Sequence, residues 1–116
     1  MPFEIIWVAE SRQQYDSLKA AAEASLKNRL KSKKAKSSRD EGLFKQVHKC
    51  VTMLADNPRH PGLNTHPFDS LEHPYRADDK VFEAYAQNRT PGAYRVFWCY
   101  GPGKNQLTII AITPHP

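Results

Sequence analysis

The sequence predicts an α+β fold of order β-α-α-β-β-β, an antiparallel sheet covered on one face by a helical hairpin. Three observations predict it: a β-branched and aromatic run at the N-terminus, two consecutive helical periods after it, and three alternating runs separated by Pro/Gly turns near the C-terminus. A sheet with one apolar face needs a covering layer, and two helices adjacent in sequence supply it. At 116 residues the chain is expected to form a single domain, 1–116.

The first strand is expected over FEIIWVA, residues 3 to 9, bounded by Pro2 and by Glu10 and Ser11. Ser11 is the expected cap of a helix starting near residue 12, whose Leu18, Ala22, Leu26 and Leu30 recur every fourth position and so share one face. Asp40 is expected to open the second helix. Its core face reads Leu43, Phe44, Val47, Val51 and Leu54, and Asn57 with Pro58 ends it.

Residues 57 to 80 contain four prolines and three histidines and keep no helical or strand period. This long Pro/His-rich loop is expected to be either a binding loop or a wrap around the domain. VFEAYAQNR, YRVFWCY and QLTIIAIT then form a meander through the turns TPGA and GPGKN. Alternation puts Phe82, Ala84, Ala86, Tyr94, Val96 and Trp98 on the core face. Glu83, Tyr85, Arg89, Arg95, Phe97 and Cys99 fall on the opposite face, which the predicted architecture leaves open.

Charge is concentrated. The formal net charge is +5, yet residues 27–39 hold seven of the 17 Lys and Arg and none of the 12 acids, so the remainder is slightly acidic. This basic segment, with Lys31, Lys33, Lys34 and Lys36 at its centre, is read as a frayed helix end or mobile loop. It is either a solvated face or a surface for a polyanion such as RNA. Cys50 and Cys99 are expected to be buried thiols. His60, His66 and His73 fit no metal-ligand spacing, so neither a metal nor a cofactor is expected. The apolar runs are strand-sized and no signal-peptide pattern opens the chain, so a cytoplasmic protein with no membrane partner is the expectation.

The β-α-α-β-β-β order, NPRHPGL after the second helix, VFEAYAQNRTPGAYRVFW and the ending TIIAITPHP together resemble the RelE/ParE superfamily of toxins from type II toxin-antitoxin pairs. The resemblance implies a RelE-like fold and a small basic toxin held inactive by a cognate antitoxin. RelE-like members cut mRNA in the ribosomal decoding site by driving the 2′-hydroxyl onto the neighbouring phosphate. ParE-like members inhibit DNA gyrase by binding, and one fold carries both activities. A metal-independent endoribonuclease working on ribosome-bound mRNA is the first reading. A gyrase inhibitor, or an inactive relative that only binds antitoxin or RNA, is the alternative.

Cleavage of this kind needs a base for the 2′-hydroxyl, cations for the phosphate and an acid for the leaving 5′-oxygen. By resemblance Arg95 matches the phosphate-binding arginine of the YRVFW-like strand, and Arg89 matches a second basic position. His115 matches a C-terminal histidine that transfers protons, and Glu83 is the nearest carboxylate for the other proton. Tyr85 is the candidate to stack on a base. The chain ends His115-Pro116 where such nucleases often place a tyrosine, and the second helix offers only Lys45 and Lys49 where others carry paired lysines. Arg95 also has a structural reading, as a cross-strand partner of Glu83.

Overall fold

A short parallel strand pair starts the chain. The computed structural model describes residues 2–32 and 36–115. β1 (Glu4–Trp7) lies parallel to the last strand, Ile5 opposite Leu107 and Trp7 opposite Ile109. α1 (Ala9–Lys31) and α2 (Arg39–Asp56) follow as an antiparallel hairpin. A single 3-10 turn (Pro61–Leu63) and a two-residue strand, β2 (His66–Pro67), interrupt the next segment. β3 (Phe82–Tyr85), β4 (Tyr94–Tyr100) and β5 (Gln106–Pro114) complete a sheet of order β1-β5-β4-β3-β2. The α+β class with a helical hairpin on one face is as expected. The sheet differs in being mixed, because the helical hairpin returns the chain to run β1 alongside β5 in the same direction. It also gains an edge strand that two residues cannot announce by periodicity.

The helix-side core joins Val47, Cys50 and Leu54 of α2 to Ala84, Val96, Trp98, Leu107, Ile109 and Ile112 of the sheet. Ser11 does not cap α1. Val8 occupies that position without a side-chain bond, and Ser11 is buried one turn in, its hydroxyl donating to the Ile109 carbonyl at 2.6 Å. Gln14 accepts from the Ile112 amide at 2.7 Å. Side chains of α1 therefore satisfy backbone groups of β5 where β1 has ended, closing an edge that would otherwise template another strand. A register shift at Phe97/Trp98 leaves one extra residue on β5, so Ile110 and Ala111 both join the core of the second face.

α1 runs about 35 Å at 1.5 Å per residue, well past the end of the sheet. The molecule accordingly measures 51 × 26 × 25 Å. That overhang explains why Leu26 and Leu30, expected on the core face, are exposed, Leu30 by 64%. α1 is ordered through Lys31, and residues 33–35 of the basic segment lie outside the described residues. Ser38, and not Asp40, caps α2. Its hydroxyl accepts from the Glu41 amide while the Glu41 carboxylate accepts from the Ser38 amide, a reciprocal capping box. Arg29 donates to both Glu41 oxygens and clamps the hairpin tip.

The second sheet face is not open. Residues 57–80 wrap over it, placing Phe68 4.6 Å from Phe97 between ring centres and packing Leu71 against Val81, Cys99 and Ile110. Buried His73 pins the wrap: Nδ1 accepts the Tyr75 and Arg76 amides, and Nε2–H donates to the Tyr100 carbonyl at 3.2 Å. The Tyr75 hydroxyl donates to Thr108 at 2.9 Å.

Cys50 and Cys99 are buried free thiols, and burial pushes them up to about 12 and about 11. A disulfide-exchange reagent is expected to leave both unmodified in the native chain and to titrate both in urea, since thiolate is the reacting form. The Arg29 hydrogen bonds, then the Ser38 amide, hold the Glu41 carboxyl at about 2 against its ordinary 4.5. The ionised form therefore contributes fully above pH 4.5, and its contribution is lost as pH falls through about 2. Amide exchange in the first turn of α2 is expected to accelerate across that window in the native chain and to be insensitive to it in Glu41→Gln.

Candidate functional site

Glu83 is the anchor of the site. Strand alternation sends its side chain to the second face, where the wrapping segment and the C-terminus leave the residue with no exposed surface. His115 Nδ1 stands 2.8 Å from Glu83 Oε2. The His115 amide donates to the Ala93 carbonyl at 2.8 Å, so the residue continues the β4-β5 pairing and is held in place although it is next to last. His66 Nε2 approaches Glu83 Oε1 to 2.6 Å from the opposite side. That approach is out of line for a hydrogen bond, and Oε1 has none among the described residues. β2 produces the contact by pairing His66 with Glu83 directly across the strands.

Arg95 lies diagonally across from Glu83, with Nε 4.0 Å from Oε2 and buried without a hydrogen bond among the described residues. Its guanidinium carbon sits 3.7 Å from the centre of the Tyr85 ring, a cation–π contact, and Nη1 donates to the Gln87 carbonyl at 2.5 Å. Tyr85 also meets the His66 ring edge-on at 5.7 Å. Four expected residues, Glu83, Tyr85, Arg95 and His115, are thus brought together, and Arg95 makes the cross-strand approach to Glu83 that its structural reading describes. The expected openness is corrected for Glu83 and Arg95, which are buried, whereas His66 and His115 keep 44% and 48% of their side chains exposed.

Arg89 is not part of this cluster. It occupies the exposed turn after β3 with φ of 62°, and no contact ties it to Glu83. Lys31 and Lys36 lie at the overhanging hairpin tip, while Lys33 and Lys34 lie outside the described residues. Gln46 of α2 accepts from Gln87 beside the site, and from there the helix runs about 10 Å further to its N-terminus. The tip therefore projects beyond the same end of the sheet. A groove of about 590 Å³ lined by Gln46, Lys49, Met53, His60, Tyr85 and Ala86 runs from α2 to the aromatic side of the site.

His66 is the residue that sequence reasoning missed. It stood among three loop histidines weighed together as metal ligands, and the structure separates them. His60 caps the 3-10 turn by accepting from Gly62, His73 is buried under the wrap, and only His66 reaches the site. The available signal was its place two residues before Phe68, an apolar residue that had to find cover on the sheet.

Arg95 and Glu83 are buried opposite charges, so removing one leaves the other with less compensation. Arg95→Met is expected to cost about 3 kcal/mol of unfolding free energy, and adding Glu83→Leu is expected to recover part of that loss in urea titrations.

Neither a protein-family model nor a curated protein sequence matches the chain. Among solved structures it is similar to the YoeB/ParE toxin from Agrobacterium tumefaciens, with a TM-score of 0.61 at 10% identity over 97% of this chain and 99% of that one. At that identity the likeness is one of architecture, and this chain shares the fold of that toxin.

Proposed function

We propose that this chain is the toxin of a type II toxin-antitoxin pair and acts as an endoribonuclease on ribosome-bound mRNA. The observation that carries the reading is the contact of His115 Nδ1 with buried Glu83 Oε2 at 2.8 Å, beside the Arg95 guanidinium. A carboxylate behind one imidazole nitrogen fixes the ring and leaves the other nitrogen free to exchange a proton, the logic of a hydrolase dyad. Arg95 is the cation for the phosphate, and its stacking on Tyr85 orients the guanidinium. The nucleophile is the substrate's own 2′-hydroxyl, so the chemistry requires no metal.

Tyr85 offers a ring to a flanking base, and the adjoining groove with Lys49 continues the path of the strand. Arg89 on its turn, Lys31 and Lys36 at the overhanging tip, and Lys33 and Lys34 of the same basic segment hold phosphates away from the scissile bond. The partners implied are a cognate antitoxin, the ribosome and mRNA.

One observation favours a binding-only reading. Arg95 is buried and its Nη1 already serves the Gln87 carbonyl, as a purely structural arginine would. In that reading the chain inhibits DNA gyrase, or only binds antitoxin or RNA.

Induction of the chain in growing cells, with transcript ends mapped, separates these readings. Growth arrest with cuts phased to codons is expected, and Arg95→Ala or His115→Ala is expected to lower cleavage by about 100-fold or more. Growth arrest that survives both substitutions with messages intact would overturn the ribonuclease reading. A DNA-damage response in those cells would point to gyrase.

A further inference from the structure

Glu83 cannot touch RNA, because its side chain is 1% exposed, yet it meets two imidazoles that are nearly half exposed. The surroundings of those rings differ. His66 Nδ1 faces the Asn64 carbonyl at 3.1 Å, and a carbonyl only accepts, so Nδ1 carries a proton. His66 Nε2 lies 2.6 Å from Glu83 Oε1, a close charge contact without hydrogen-bond alignment. A ring placed between a carbonyl and a carboxylate is positioned to bring a proton to the site as its acid. His115 instead directs only Nδ1 at Glu83, which leaves Nε2 directed away from the carboxylate. The other groups facing this pair are Arg95, which stays charged, and Tyr85, whose ring edge meets His66.

Resting on the ribonuclease reading above, we infer that cleavage is a two-histidine reaction in which His66 is the acid and His115 the base. Glu83 is a positioning residue that orients the two rings from between them. His115 Nε2 takes the proton of the 2′-hydroxyl as O2′ bonds to phosphorus. The P–O5′ bond breaks with its electron pair on oxygen, and His66 delivers a proton to that O5′. The products are a 2′,3′-cyclic phosphate and a 5′-hydroxyl. One imidazole gains the proton that the other loses, so no further reactant is needed, and exchange with water resets both.

The test uses the full chain with programmed ribosomes and single-turnover cleavage read by primer extension. His66→Ala is expected to slow cleavage about 100-fold with ribosome affinity unchanged, to lose the alkaline limb of the pH–rate profile and to recover with added imidazole. His66→Gln, which keeps a polar contact to Asn64 but no transferable proton, is expected to be equally slow while unfolding at the wild-type temperature. Wild-type rates in both variants would overturn the inference alone, as would slowing that leaves the bell-shaped profile intact and imidazole without effect. A wild-type chain that leaves the message uncut would overturn the ribonuclease reading and this inference together.

Discussion

Burying Glu83 is the constraint around which the second face of this protein is organised. An ionised carboxylate taken from water costs several kcal/mol unless opposite charge and hydrogen bonds compensate it. The compensating groups come from three separate places in the chain: His66 on β2, Arg95 on β4 and His115 after β5. None of them reaches the carboxylate by local geometry. Each arrives only when its strand is in register, so the ion cluster forms with the sheet and depends on it.

The same face has two characters along its length. Near the β4-β5 turn it is apolar, and Phe97, Cys99, Ile110 and Ala111 need the cover that Phe68 and Leu71 provide. Toward the free end it is polar, and the cover stops at His66 and Pro67, which leaves both histidines half exposed. The length of the Pro/His-rich segment thus follows from geometry. It crosses the sheet edge, closes over the apolar half, is pinned by His73 and returns as β3. Because hydrophobic cover and His66 belong to one stretch, the packing that buries Phe97 also sets the edge of the site.

On the helix side, α1 holds the sheet by its first turns and then leaves it. Ser11 and Gln14 engage β5 backbone groups, and the hairpin beyond Ala22 is held by Arg29, Glu41 and Ser38 instead of by core burial. The described residues of the basic segment are therefore carried on an arm that extends past the end of the sheet where the histidines lie. An arm stabilised by hydrogen bonds and ion pairs, with its leucines exposed, contributes little to the core.

Much of the fold was legible in the sequence, because hydrophobic alternation and helical spacing report which side of an element is buried. Phe82, Ala84, Val96 and Trp98 sit on the helix side as their spacing required, and Leu43, Val47, Val51 and Leu54 marked α2. Alternation likewise put Glu83, Tyr85 and Arg95 on one face, and family resemblance drew His115 to them. The sequence left three things to tertiary structure: the burial of that face, the place of Leu26 and Leu30 in solvent, and the meeting of His66 with Glu83. Each depends on distance between elements far apart in the chain. Periodicity describes an element against its own axis and says nothing of where a neighbouring element ends. A loop without period can still become a strand when a partner supplies the register, and here that partner is the buried carboxylate's own strand.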